Sequence, residues 1–224
     1  MRRGPATVSR RPPGGSTLSV LEAIRRRISA EKFDPSRTIS EQDILELVEY
    51  ATHAPSSLNQ QHWRFVAVVR PEDKARLARI AYNQTKVSDA SVTFIVLGDT
   101  RAHERLGEVL SRSVAAGLLD QSTADVWVAM AGRMYSDPRA ARDEAVRSAS
   151  LAAMTLMLAA ESKGLVSGPL TSFDPDLLRK EFDIPERYVP VMLLPVGYPD
   201  FGNGPKKARL KAFEVLRFGS GRGL

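Results

Sequence analysis

Two clusters of cations and one polar loop are the residues of this chain whose types and spacing suit chemistry. Arg25-Arg26-Arg27 with Ser29 lies near the amino terminus, and Lys206-Lys207-Ala208-Arg209 near the carboxyl terminus. Guanidinium, ammonium and hydroxyl donors suit a terminal phosphate group. Between the clusters in sequence runs Ala54-Pro55-Ser56-Ser57-Leu58-Asn59-Gln60-Gln61-His62-Trp63. This stretch is dense in hydroxyl and amide groups and leads into the apolar run Phe65-Val66-Ala67-Val68-Val69. A polar loop held between two buried elements is a good place for a polar, planar ligand. Taken singly, each cluster reads equally as a solvated basic face, and the loop as an ordinary capped helix-to-strand connection.

Other devices are missing. No GxGxxG follows a strand and no GxxxxGK[ST] occurs; Gly202-Asn203-Gly204 runs into Pro205, not into a helix that could aim its amino terminus at a phosphate. The three histidines, His53, His62 and His103, lack metal-ligand spacing, so no metal is expected, and no GxSxG marks a serine nucleophile. The absence of cysteine excludes disulfides, Cys-ligated zinc and thiolate catalysis, and fits an intracellular, cytoplasmic protein. No side chain stands out as an essential acid or base, which leaves the chemistry to a bound cofactor.

The elements that must position these residues are legible in outline. The 224 residues suit one compact unit, and a hydrophobic content of 43% is enough for a real core. The +6 charge is terminal. Residues 1–17 hold four arginines and no acid, and 205–224 hold six cations against Glu214, so the body between them is mildly acidic. This argues against a basic docking face, and no nucleic acid partner is expected. No apolar run reaches the roughly 20 residues needed to span a bilayer. Residues 1–17 read as a disordered basic arm, 18–218 as the folded domain and 219–224 as a flexible tail.

A helix is expected over Leu18 to Ile28, capped by Ser16 or Thr17, with Leu18, Leu21, Ile24 and Ile28 on its buried face. Ser40 with Asp43 starts a second helix, whose stripe is Ile44, Leu45, Val48 and Ala51. Phe65–Val69 and Val92–Leu97 read as buried strands, and Pro71-Glu72-Asp73 opens a helix. Residues 101–135 are helical but interrupted by Gly107, Gly117 and Gly132. A long helix from Pro138 to Lys163, buried nearly all round after Leu151, ends at Gly164. Pro175 to Phe182 is a short helix. Val189–Val196 is a strand near an edge or with a bulge, given Pro190 and Pro195, and Phe213–Phe218 a last short strand. The class is α+β (mixed α/β), a small central mixed sheet flanked by helices.

The ordered set of motifs resembles the FMN-dependent nitroreductase family. The resemblance rests on Arg27-Ile28-Ser29 with Phe33-Asp34, on Pro55-Ser56-Ser57-x-Asn59-x-Gln61-x-Trp63-x-Phe65, and on Tyr82-Asn83-Gln84-Thr85-Lys86. It continues in Gly164-Leu165, Gly168-Pro169-Leu170-Thr171-Ser172-Phe173-Asp174, Pro195-Val196-Gly197-Tyr198 and Lys207-Ala208-Arg209. It covers residues 20 to 210 except 101–135. It implies a homodimer with two FMN sites at the interface, NADH or NADPH as donor, and a small-molecule acceptor such as a nitroaromatic, quinone or enal, served in ping-pong fashion. By the same resemblance, Arg27 and Ser29, flanking Ile28, and Lys207 and Arg209 hold the phosphate. Ser56, Ser57, Asn59 and Gln61 line the flavin from the other subunit. Asn83 and Lys86 face the pyrimidine edge, Lys86 acting electrostatically. Pro169, Leu170, Thr171 and Ser172 pass the opposite face, a backbone N–H approaching N5. Four positions depart from the family pattern: Ile28 replaces an often polar residue, Glu31 a frequent cation, His62 a common proline, and Thr171-Ser172 a Glu-Gly pair. The departures leave open a second function, a flavin carrier or sensor without reductase activity.

Overall fold

The computed structural model describes residues 18–223. The expected basic arm 1–17, with the caps at Ser16 or Thr17, lies outside the described residues. The spine of the fold is β2 (Val92–Asp99), buried at every position because both faces of the sheet are covered; hence its continuous apolar sequence. Strand β1 (Trp63–Val68) pairs with it on one side and β4 (Tyr188–Gly197) on the other, and the short β3 (Val166–Ser167) pairs with the end of β4. The order is β1-β2-β4-β3 and all these pairings are antiparallel. Among the described residues, parallel pairing is confined to the bridge between Ser29 and Ser167. The α+β class holds, but the sheet expected to be mixed is antiparallel in all its strand pairs. The register of β4 against β2 slips between Val96 and Leu97, so the strand accommodates Pro190 through a bulge.

The two faces of the sheet carry separate cores, split by the period of two along each strand. Val92, Phe94 and Val96 join Trp63, Leu194 and Val196 under α2 (Glu41–Thr52) and α7 (Pro138–Ser162). Ile95, Leu97, Val68 and Leu193 face α3 (Pro71–Ile80), α4 (Thr85–Asp89) and α8 (Pro175–Glu181) through Leu77, Ile80, Val87 and Leu178. Each fully buried Leu, Ile or Phe here contributes roughly 1.5–3 kcal/mol relative to exposure. A third cluster joins α5 (Leu106–Ala115), α6 (Gln121–Met134) and the start of α7 through Leu106, Leu110, Ala131, Tyr135 and Ala141, with Leu58 against it.

Capping chemistry places the helices. Helix α1 (Val20–Arg26) starts at Ser19, whose hydroxyl accepts from the Glu22 N–H in a capping box. Ser40 caps α2 through Asp43 N–H, and Pro71, Pro138 and Pro175 each open a helix. Gly164, at φ +75°, terminates α7 in the conformation expected of it.

Several expectations give way. Leu21, Ile24 and Leu45 are exposed, and Leu47 takes the buried place in α2, so these helices turn only part of their apolar surface to their own core. In helix α7 the expected cover holds from residue 152 to 161, all buried or partly buried, and Leu151 just before them is exposed. Gly107 and Gly132 lie inside α5 and α6 and interrupt nothing; only Gly117, at φ +70°, follows a helix end. Residues 213–218 form no strand, because that segment carries the single-turn helix α9 (Ala212–Val215) on an exposed arm.

Candidate functional site

The two basic clusters, far apart in sequence, meet. Ile28, Ser29, Glu31, Gly204, Pro205, Lys206, Lys207 and Arg209 line one cleft. Lys206 is structural in this arrangement: its ammonium donates to the carbonyls of Ile24 at 2.7 Å and Arg25 at 2.9 Å, stabilising the carboxyl end of α1. Arg209 folds back to donate to the carbonyls of Lys207 and Ala208 at 2.9 and 3.1 Å. Lys207 and Arg209 therefore present charge beside Ser29, while Arg27 caps α1 at the edge of the cleft. Among the described residues Arg27, Lys207 and Arg209 form no ion pair.

Ser29 is held there by the sheet. Ala30 N–H donates to the Ser167 carbonyl at 2.9 Å, next to the Ser29–Ser167 bridge, so the chain after α1 runs along β3. Gly168 follows at the point of closest approach. From it, Pro169, Leu170, Thr171 and Ser172 continue along the edge of β4, with Leu170 and Leu193 exchanging two backbone hydrogen bonds of 2.9 Å. Ser172 is not among the residues of positive φ, so serine at this position carries no backbone strain.

Asn83 follows α3 in the left-handed region, at φ +59°, donating its N–H to the Ala78 carbonyl at 2.8 Å. Gln84 joins this turn to the 169–172 stretch, its side-chain amide donating to the Ser172 carbonyl at 3.2 Å. Lys86, on α4, is only 8% exposed, and its ammonium lies 3.0 Å from the Glu31 carboxylate. The cation cleft and the Asn83–Lys86 turn thus lie toward one end of the sheet, and the 169–172 stretch leads from there along β4, with Leu170 opposite Leu193 at mid-sheet and Thr171 beside Val189 and Val191.

The polar loop is built differently. Ser57–Asn59 makes a tight helical turn, and Leu58, Asn59 and Gln61 all have positive φ. Ser56 Oγ accepts from Gln61 N–H at 2.9 Å, and Arg64 donates to the Gln61 carbonyl at 2.9 Å. Tyr135, from the end of α6, donates its hydroxyl to Ser57 Oγ at 2.8 Å. Sequence reading passed over Tyr135, since a contact between residues 78 apart leaves no local signal. His62 is buried beside Trp63, edge-on to the Tyr135 ring, with Nδ1 unpartnered. Burial lowers its pKa from 6.5 to about 4, against the opposing pull of Glu144 and Asp99. It is neutral at physiological pH and carries no imidazolium proton to donate.

This loop is at the wrong end of the sheet to reach its own chain's cleft. Gly98 pairs with Trp63, and Asp99 donates to the His62 carbonyl at 2.7 Å, whereas Val92 pairs with Val196 beside Ser167. Eight residues of β2 separate the two ends. At about 3.3 Å per residue, the distance is roughly 23 Å.

Comparison with known proteins follows the same lines. YodC of Bacillus subtilis, provisionally named an NAD(P)H nitroreductase, is 38% identical over 182 residues, covering 81% of this chain and 89% of its own. The enone reductase of conjugated linoleic acid biosynthesis from Lactiplantibacillus plantarum is 28% identical over 183 residues, covering 80% and 84%. Among solved structures, a provisionally named nitroreductase from Exiguobacterium sibiricum in complex with FMN superposes with a TM-score of 0.85 at 31% identity, covering 91% of this chain and 99% of that one. The model of the nitroreductase family itself matches residues 24–198, the span that holds β1–β4 and all of the site but its carboxyl-terminal cations, and the chain belongs to that family.

Proposed function

We propose that the protein is an FMN-dependent NAD(P)H oxidoreductase working as a homodimer, with its sites completed across the interface. The observation that carries this reading is the separation of the two site halves, roughly 23 Å along β2. A single chain offers a phosphate cleft at one end of the sheet and a ligand-shaped polar loop at the other. A second copy joins them. The apolar surface left open by one chain supports the same arrangement: Val20 and Tyr50 line a groove with Leu158 and Ala159, near exposed Leu21, Ile24 and Leu151. The carboxyl-terminal arm likewise exposes Leu210, Phe213 and Phe218. Faces of this composition are what a partner subunit covers.

The residues present fit FMN. Ser29, Lys207, Arg209 and Arg27 suit its dianionic phosphate. Asn83 and Lys86 would meet the pyrimidine edge, and the backbone of Pro169 to Ser172 the opposite face of the ring. Ser56, Ser57, Asn59 and Gln61 of the second copy would line the ring and ribityl chain. Bound FMN supplies two-electron chemistry at N5. The chain holds the phosphate, orients the ring, and places the Lys86 charge where reduction adds electron density. His62 stays neutral behind the loop. One open face used in turn by donor and acceptor predicts ping-pong kinetics. The names of the relatives, spanning nitro and enone reduction, support nitroaromatics and enones as acceptors, and quinones and enals are candidates as similarly electron-poor groups.

The test is flavin retention. Wild type purifies yellow; Arg27→Ala with Arg209→Ala loses the colour, and a fully loaded double variant refutes the phosphate assignment. Anaerobic NADH or NADPH bleaches the flavin band of the wild type. Bleaching by neither donor leaves a flavin carrier or sensor as the function.

A further inference from the structure

Glu31 places a negative charge inside a site otherwise built from cations. It lines the cleft with Ser29, Lys207 and Arg209, and its carboxylate lies 3.0 Å from Lys86 Nζ. The pair is lopsided: the Lys86 side chain is 9% exposed and that of Glu31 61%. Lys86 makes no other ion pair among the described residues, so the one buried cation of the site is the one that is cancelled. The Glu31 backbone is also fixed. Asn203 Oδ1 accepts from the N–H of Glu31 at 2.9 Å and of Lys32 at 3.0 Å, while Asn203 Nδ2 donates to the carbonyls of Lys32 at 2.7 Å and Asp200 at 3.2 Å. Four hydrogen bonds from one side chain clamp the segment before the cleft, and the carboxylate can reach Lys86 only by its own side-chain torsions. The two ends of the site therefore differ in charge: the cations at the phosphate end form no ion pair among the described residues, and the ring end is close to neutral.

We infer that Glu31 is a potential-setting residue: by cancelling the Lys86 charge it weakens the hold on reduced FMN relative to oxidised FMN. This rests on the reading above, in which Lys86 faces the pyrimidine edge. Uptake of two electrons and one proton by FMN leaves a negative charge at N1–C2=O near neutral pH. The Lys86 ammonium attracts that charge. The Glu31 carboxylate, one ion-pair distance behind the ammonium, repels it, because Coulomb energy falls only as the inverse of distance. Solvent around the exposed carboxylate trims the effect without removing it. Oxidised FMN carries no ring charge, and whatever Glu31 does to the phosphate it does equally in both redox states, so that effect cancels in the potential.

The experiment is a dye-equilibrium measurement of the reduction potential of bound FMN in the purified full chain, with the dissociation constant of oxidised FMN measured by fluorescence. Glu31→Gln binds reduced FMN about tenfold tighter relative to oxidised FMN, a rise of about 30 mV for a two-electron couple. Glu31→Lys raises the potential further, and Glu31→Asp stays near wild type. The affinity for oxidised FMN changes less than about threefold in Glu31→Gln. A purely structural role would weaken both redox states together and leave the potential in place. Potentials that coincide in wild type, Glu31→Gln and Glu31→Lys overturn the inference while the cofactor assignment stands. A wild type that binds no FMN overturns both.

Discussion

Gly168→Ala tests whether the site depends on one backbone contact. A β-carbon at residue 168 would lie 2.3 Å from the Ala30 carbonyl oxygen and 3.6 Å from the Phe33 ring. The obstacle at 2.3 Å is backbone and has no torsion by which to withdraw. The segment Ser29–Ala30 must then move off β3, and the hydrogen bond from Ala30 N–H to the Ser167 carbonyl, 2.9 Å long, is lost. Both residues are buried, so a donor and an acceptor are left without partners. Each unsatisfied group costs about 1–3 kcal/mol, giving a loss of roughly 2–6 kcal/mol for the two. The entropic gain from replacing glycine is only about 0.4–1 kcal/mol and does not offset it. The same displacement shifts Ser29 away from Lys207 and swings Pro169 to Ser172, so FMN affinity falls at least about tenfold. Urea unfolding followed by circular dichroism reads the first effect and quenching of FMN fluorescence the second. A variant with the midpoint, slope and FMN affinity of the wild type refutes the claim that this approach positions the site.

Asp99 is fully buried and accepts from Arg187 Nε and Nη2 at 3.0 and 2.9 Å and from Arg101 N–H at 2.9 Å. Asp99→Ala strands these donors and destabilises the fold by about 3 kcal/mol, the low end for a buried pair because Arg187 is part-exposed, as read from urea midpoints. Tyr135→Phe removes the hydroxyl that holds Ser57 and lowers stability by about 0.5–1.5 kcal/mol; FMN affinity falls with it, and Ser57→Ala on top adds little further loss of stability. His62 gives a pH dependence. Its folded pKa, about 4, lies below the ordinary 6.5, so the unfolded chain binds the proton first. Its contribution is complete above about pH 7 and is lost as pH falls toward 4, reaching about 2 kcal/mol of loss by pH 5. Urea midpoints from pH 7.5 to 5 fall accordingly, and a His62→Gln variant shows a flatter profile across that window.

What the sequence announces and what it conceals divide along physical lines. The two central strands are legible because burial on both faces demands an unbroken apolar run at Val92–Asp99 and at much of Trp63–Val68. Helix starts are legible because Ser40, Pro71 and Pro138 act locally on backbone donors. The cover of an apolar face is not local. Leu21, Ile24 and Leu45 follow helical spacing as core residues do, yet they are exposed in the chain, since periodicity does not distinguish a face packed inside from one packed on another subunit. Phe213 to Phe218 is no strand for a related reason: its composition favours extended structure, and among the described residues no strand pairs with it. The site residues themselves were named from the resemblance to the nitroreductase family, whereas the Glu31–Lys86 pair and the Tyr135–Ser57 bond are contacts between residues 55 and 78 apart that only the fold reveals.

The backbone of the polar loop is held in an uncommon conformation. Leu58, Asn59 and Gln61 sit at φ +51°, +58° and +53°. For leucine and glutamine such a conformation costs on the order of 1–3 kcal/mol each. The fold holds them there with Ser56 Oγ on Gln61 N–H, the Arg64 guanidinium on the Gln61 carbonyl, the Tyr135–Ser57 bond, and Leu58 packed on the α5–α6 cluster. The α5–α6 cluster thus contributes both a hydroxyl, from Tyr135, and an apolar seat, under Leu58, to this turn. Strain maintained by so many contacts needs a return elsewhere, and the loop's own chain offers no phosphate cleft within reach of it. In the dimer proposed above, the turn makes energetic sense as a rigid half of a binding site, preformed for the cation cleft of the second copy.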